Sequence, residues 1–238
     1  MRYSRPAMID LTQIQAITFD LDDTLWPIAP TIAHADQALA TWLAVHAPQT
    51  AVLSANLDVR REIRQLIETR HPDHSHDLSF LRLEAIRESL RRAGEAEHLA
   101  EAAFDAFFAA RNQVFLFDGV EQAMSRLAGR YPLVAVSNGN ADVFRTPLGA
   151  YFQASVSARD CGVAKPDPRI FEAAAQRLAL PPQAVLHVGD DVLADAVGAR
   201  GVGMQVVWVN THARDWSHDS VQPLTVSDVS QLCDYLLA

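Results

Sequence analysis

Lysine is almost missing from this chain. Of its 20 Lys and Arg residues only Lys165 is a lysine, so wherever a generic surface cation is needed the sequence uses arginine. A compact ammonium kept at one place suggests a specific need there, because arginine's planar fork replaces a point charge poorly. A codon-biased genome with one stray lysine is the plain alternative. Cysteine is scarce as well. Cys161 and Cys233 allow at most one bridge in a chain large enough to fold without it, and are expected to be reduced, packing thiols. No apolar stretch is long enough to span a bilayer. The basic start Met1-Arg2-Tyr3-Ser4-Arg5-Pro6 leads into Ile9-Asp10-Leu11-Thr12-Gln13, which lacks the continuous apolar segment of a secretory leader. A cytoplasmic location is the expectation, with no membrane partner. Basic stripes interleaved with aromatics are absent and the formal net charge is -9, which argues against nucleic acid as a partner. Internal repeats and low-complexity tracts are missing too.

What is present is a chain of 238 residues, 49% hydrophobic, able to bury a large core as one domain or as a domain with an insertion. Residues 19–25 read Phe-Asp-Leu-Asp-Asp-Thr-Leu and follow the apolar run Ile14, Ala16, Ile17 and Phe19. A buried strand that delivers Asp20 and Asp22 into a loop concentrates negative charge, which costs free energy unless a cation or a proton offsets it. Two further apolar runs end in polar residues: Leu133 to Val136 before Ser137-Asn138-Gly139, and Ala184 to Val188 before Gly189-Asp190-Asp191. A fourth, Gln205 to Val209, also reads as a strand. Helical patterns separate these runs. Asp167-Pro168 caps a helix containing Ile170 and Phe171, another helix runs from about Val120 to Arg130, and the last opens at Ser227 or Asp228 and continues to Leu236.

Strands alternating with helices predict an α/β fold with a doubly wound parallel sheet, whose ligands bind beyond the carboxyl ends of the strands. The three polar clusters would then converge in one crevice. Between about Pro30 and Phe117 the apolar residues recur at helical spacing, as in Leu39, Trp42 and Leu43 or Phe104, Phe107 and Phe108, with no convincing strand. This segment is expected to be an inserted all-helical cap, residues 31–117, on a Rossmann-like core of residues 1–30 and 118–238. Pro27 and Pro30 at its start and Asp118-Gly119 at its end would be the hinges.

Each cluster has an ordinary reading when taken alone. Ser137-Asn138-Gly139 could be a turn, and Asp190, Asp191 and Asp195 could cap a helix. Together they resemble something more specific. Asp20-x-Asp22-x-Thr24 after a strand, Ser137-Asn138-Gly139 after a second, Lys165-Pro166 before a helix, and Gly189-Asp190-Asp191 with Asp195 look like the four motifs of the haloacid dehalogenase superfamily, in that family's order. The resemblance implies a magnesium-dependent phosphomonoesterase acting on a small phosphate ester. Asp20 would be the nucleophile and Asp22 the general acid and base. Ser137 would donate to the phosphoryl oxygens, with Asn138 and Gly139 beside it, and Lys165 would offset charge. Mg2+ would be held by Asp20, the Asp22 carbonyl and Asp190, with Asp191 and Asp195 behind them, acting through water or by orienting Lys165. Thr24 is expected to be structural.

The family's phosphonate-cleaving members need a second lysine in the cap, which this chain lacks. Its true dehalogenases lack the second aspartate of the first motif, so Asp22 favours a phosphoryl substrate. The peptides Ile17 to Leu25, Val136 to Asn140 and Leu186 to Asp191 look like a bacterial branch acting on flavin mononucleotide and on the ribitylaminouracil phosphate of riboflavin synthesis. A sugar phosphomutase and a non-catalytic phosphometabolite-binding protein are the alternatives, and monomer and homodimer are both compatible with the sequence. In the helical segment the mixed Arg and Glu residues read as a solvated face with i,i+4 pairs, and Arg82, within the apolar stretch Phe80 to Leu83, is expected to face inward. His71, His74 and His76 read as a surface loop, with Asp77 capping the next helix. Trp26 would stack on a flat substrate or, as preferred here, pack at the hinge.

Overall fold

The computed structural model describes residues 9–238, so the basic stretch at residues 1–6 lies outside the described residues. The chain opens with strand β1 (Ala16–Phe19), and five helices follow: α1 (Ile28–His46), α2 (Pro48–Ser54), α3 (Leu57–Arg70), α4 (Leu78–Ala93) and α5 (Ala100–Arg111). Next come α6 (Val120–Ala128), β2 (Leu133–Ser137), β3 (Ala154–Ser157), α7 (Ala158–Cys161) and α8 (Pro168–Leu178). Strand β4 (Val185–Gly189) then leads through a wide π-type turn at Val192–Val197 into α9 (Gly198–Gly201), β5 (Gln205–Val209), β6 (Leu224–Val226) and α10 (Val229–Leu236).

Two compact units result. Among the described residues, one comprises residues 9–27, 116–139 and 143–238; the other comprises residues 28–115 with residues 140–142. The first is built on a six-stranded parallel sheet in the order β3-β2-β1-β4-β5-β6. β1, β2 and β4 are buried along their whole length, as central parallel strands covered on both faces must be. Strand order reverses between β1 and β4, and at such a switch point a crevice opens at the carboxyl ends. Strands β3 and β6 were not foreseen. Ala154-Ser155-Val156-Ser157 and Leu224-Thr225-Val226 are short, partly exposed and rich in hydroxyls, because they pair as edges and bury little. The expected caps are in place: Asp167 accepts from the Arg169 amide at 3.0 Å, and Asp228 from the Gln231 amide at 2.8 Å. Both cysteines are free thiols.

The second unit contains α1 to α5 and no strand among its residues. It begins at Ile28, so Pro30 lies in the first turn of α1 rather than at a hinge. A proline is tolerated there because first-turn amides have no partner within the helix. Its Arg and Glu residues pair as expected for a solvated face, with one exception. The Glu88 side chain is only 5% exposed and receives Arg70, Arg91 and Arg92. Burial alone would raise its carboxyl, but the hydrogen bonds from Arg91 and Arg92 outweigh that and hold it at about 2. A group whose folded pKa lies below its unfolded value of 4.5 contributes stability above that value and loses it as pH falls toward 2. Glu88→Gln should therefore destabilise the protein by about 1–3 kcal/mol at neutral pH. In urea titrations run at falling pH the difference should shrink below 4.5 and be nearly gone at 2. A pH-independent difference would refute this account. No helix among the described residues is long and apolar enough to cross a membrane.

Candidate active site

The buried polar side chains of the sheet unit concentrate at the carboxyl ends of its central strands. Asp20, Thr24, Ser137, Lys165, His187 and Asp195 are each buried, in a core that is mostly apolar. Buried polar groups persist where they are hydrogen-bonded, and here Asp20, Thr24, His187 and Asp195 form one network around a single ammonium. Lys165 Nζ donates to Asp20 Oδ1 at 2.5 Å, to Asp195 Oδ1 at 2.6 Å and to the Val136 carbonyl at 2.9 Å, which uses its three N–H groups. Burial would lower this lysine's pKa, but the Asp195 and Asp20 carboxylates outweigh it and hold the ammonium charged.

The backbone of the lysine is fixed as firmly as its tip. Asn138 Oδ1 accepts from the Lys165 amide at 2.7 Å, and its Nδ2 donates to the Lys165 carbonyl at 3.0 Å. Asn138 is thus a clamp on the chain carrying Lys165. Ser137 Oγ accepts from the Gly139 amide at 2.9 Å. In the first motif, Asp23 adopts a left-handed φ of 61°, a conformation that Asp tolerates better than most side chains. The turn is closed by the Asp23 amide donating to the Trp26 carbonyl at 2.7 Å. Trp26 is fully buried and its Nε1 donates to Asp22 Oδ1 at 2.8 Å, so it holds Asp22 and presents no face for stacking on a substrate. Thr24 Oγ1 lies between Asp20 Oδ2 at 3.2 Å and Asp190 Oδ1 at 3.5 Å and so links two carboxylates.

Asp190 and Asp195 come from the loop and turn after β4. Asp190 is half-buried and is pushed up to about 6, first by burial and then by Asp195 and Asp23, with Arg214 opposing. Arg214 Nη2 reaches Asp190 Oδ2 at 3.2 Å and its carbonyl at 2.9 Å, a contact from the β5–β6 connection that no motif announces. Asp191 serves its own turn. Its side chain does not orient Lys165: Oδ1 accepts from the Leu193 and Ala194 amides at 2.8 and 2.7 Å and caps the following turn, while its own amide donates to Asp195 Oδ2 at 3.1 Å.

Asp20, Asp190 and Asp195 place one carboxylate oxygen each within 4.8 Å of one another, an arrangement able to hold a metal ion. Charge supports that fit. Three carboxylates face one buried ammonium and, at the rim, Arg214, and burial together with Asp195 and Asp190 raises Asp20 even against Lys165. A hard divalent cation suits oxygen ligands of this kind. Asp195 is the poorest ligand of the three, because Lys165, His187 and the Asp191 amide already occupy its oxygens, and Lys165 with burial opposed holds its carboxyl low.

Gly189 makes this packing feasible. A Cβ at that position would lie 2.3 Å from Asp195 Cγ and 2.4 Å from Oδ2. Gly189→Ala should therefore displace Asp195, destabilise the protein by roughly 1–3 kcal/mol and disturb Lys165 with it. Urea unfolding would measure this, and unchanged stability would contradict the geometry.

In the helical unit, Arg82 is largely buried among its own helices, over the Phe107 ring at 4.3 Å and paired with Asp36 at 3.0 Å. The histidine loop brings His71 and His74 against Phe80, and Asp77 accepts from the Phe80 amide at 2.9 Å.

A parallel α/β sheet that gathers carboxylates around one buried ammonium beyond its strand ends, with an all-helical insertion after the first strand, is the architecture of a class of hydrolases. The family model described as haloacid dehalogenase-like hydrolase matches residues 14–203, and the chain belongs to that family. Among curated proteins it is similar to the 5-amino-6-(5-phospho-D-ribitylamino)uracil phosphatase YigB of Escherichia coli (strain K12), 32% identical over 240 residues and covering 98% of both chains. It also resembles a glyceraldehyde 3-phosphate phosphatase of Methanopyrus kandleri, 27% identical with 91% of each chain covered. Among solved structures, one described as a 2-haloacid dehalogenase from Pseudomonas syringae pv. Tomato DC3000 superposes with a TM-score of 0.87 at 36% identity, covering 94% of this chain and 98% of that one.

Proposed function

We propose that this protein is a magnesium-dependent phosphomonoesterase that cleaves a small phosphate ester through an aspartyl-phosphate on Asp20. The observation that carries the reading is the buried Lys165 ammonium shared between Asp20 and Asp195. A nucleophilic carboxylate at a strand end needs such a fixed positive partner to approach a phosphoryl dianion.

Asp20 attacks phosphorus as the P–O ester bond breaks. Asp22, as the acid, gives its proton to the departing alkoxide. As the resulting carboxylate it then takes a proton from water, whose oxygen attacks phosphorus, frees Asp20 and releases inorganic phosphate. Trp26 orients Asp22 through its 2.8 Å bond. The Ser137 hydroxyl and the Gly139 region face the phosphoryl oxygens, and Lys165 neutralises charge between them and Asp20. The Asp20 carboxylate, the Asp22 carbonyl and Asp190 would hold Mg2+, which supplies further positive charge at the phosphoryl group.

Two names among the relatives pull in different directions, phosphatase and dehalogenase. Asp22 favours the former. A departing halide needs no proton, whereas an alkoxide does, so an acid in that position serves the leaving-group step only when the leaving atom is oxygen. Similarity to YigB over nearly the whole chain makes 5-amino-6-(5-phospho-D-ribitylamino)uracil the first substrate to test, with flavin mononucleotide beside it on the resemblance of the motif peptides. The test is a phosphate-release screen over phosphometabolites, with p-nitrophenyl phosphate as the generic ester. Halide release from 2-chloropropionate without phosphate release from any ester would overturn the reading. EDTA should abolish phosphate release and added Mg2+ should restore it. Activity unaffected by EDTA would remove the metal from this account.

A further inference from the structure

Two buried polar side chains take no part in the steps above. Thr18 and His187 lie side by side in register on β1 and β4, each 0% exposed. Thr18 Oγ1 is 2.8 Å from His187 Nδ1, and His187 Nε2 is 3.1 Å from Asp195 Oδ1. The Phe171 ring stands edge-on to the imidazole at 5.1 Å and closes it off on that side. Both side chains are fully enclosed, and each bond between them and Asp195 needs one donor and one acceptor. Asp195, ionised beside Lys165, can only accept. The proton therefore belongs on Nε2, Nδ1 is a lone pair, and the Thr18 hydroxyl donates into it.

We infer that His187, as the neutral Nε2–H tautomer oriented by Thr18, is a positioning residue that fixes Asp195 and through it holds Lys165 against Asp20. The inference rests on the reading of Asp20 and Lys165 as the working pair. Its physical logic is that Asp195 Oδ1 accepts from both partners. A second cation at that oxygen would repel the Lys165 ammonium and compete with it, whereas a neutral donor restrains the carboxylate without adding charge. Burial acts in the same direction by holding the imidazole below its usual pKa. A histidine that merely fills space makes no such demand on tautomer or donor.

The experiment compares three variants of the full chain and reads the ring nitrogens directly. His187→Phe keeps the volume and removes both bonds; its kcat should fall roughly 10–100-fold, with KM changing far less. His187→Gln carries an amide donor toward Asp195 and should stay well above the Phe variant. Thr18→Val removes the donor to Nδ1 and should weaken the tautomer preference. In the unaltered protein, 15N NMR at neutral pH should show His187 protonated at Nε2 and bare at Nδ1. A Phe variant as active as the parent, or a spectrum showing Nδ1–H or imidazolium, would overturn the inference. If His187→Phe does not fold, or if no ester is hydrolysed at all, the NMR measurement still decides the tautomer on its own.

Discussion

Replacing Asp20 by Asn should abolish turnover while leaving the protein folded and at least as stable as before. The loss should be three orders of magnitude or more, on the order of what removing a covalent nucleophile costs other enzymes. The stability side follows from burial. Asp20 is a desolvated carboxylate whose pKa is raised despite the ammonium beside it, and a neutral amide of the same shape relieves that cost. Lys165 keeps Asp195 and the Val136 carbonyl as acceptors, so it is not stranded. Thermal melting and acid-quenched mass spectrometry after mixing with substrate test both halves. The parent should carry a transient phosphoryl adduct and the variant none. Appreciable turnover by the variant would eliminate Asp20 as nucleophile.

The second large effect is expected from Lys165→Arg, which keeps the charge. Three acceptors surround Nζ at 2.5, 2.6 and 2.9 Å in a pocket where the side chain is 2% exposed. A planar guanidinium is larger and cannot direct three bonds from one point. Overpacking should cost roughly 1–3 kcal/mol, and the displaced charge about 10²–10³ in kcat, the scale of losing one fixed electrostatic contact. Circular dichroism melts alongside steady-state rates separate the two effects. A near-parental rate would mean that the single lysine in an otherwise arginine-only chain is an accident of composition. Lys165→Met is the complementary probe: it leaves Asp20 and Asp195 buried without their cation and should destabilise the fold by about 3–5 kcal/mol.

Most of the sheet was legible because central parallel strands are continuous apolar runs, and β1, β2, β4 and β5 each read that way. The edge strands β3 and β6 lack that signal, since a strand buried on few sides needs no apolar run. Lys165 stood out through its rarity, and Asp20, Asp22 and Asp190 through charge at strand ends. Partnerships were harder to read. That Asn138 grips the backbone at Lys165 and that Thr18 meets His187 depends on residues brought together from distant parts of the chain, while Trp26 reaches Asp22 only because the turn at Asp23 folds the chain back. No spacing rule encodes those contacts. Asp191 shows the opposite: it stands beside Asp190 in sequence, and its side chain takes the ordinary capping role on its own turn. Gly189 was legible as part of its motif, but not its role there, which is the absence of an atom where Asp195 must lie.

The clamp on Lys165 has a thermodynamic consequence. A free lysine side chain carries about 2 kcal/mol of rotamer entropy, which must be given up whenever its ammonium is held in one place. Here Asn138 holds the main chain from both sides and three oxygens hold the tip, so that freedom is surrendered once, as the polypeptide folds. Each arriving ester then meets a cation already stationary, and none of its binding energy is diverted to immobilising the group that will receive its charge.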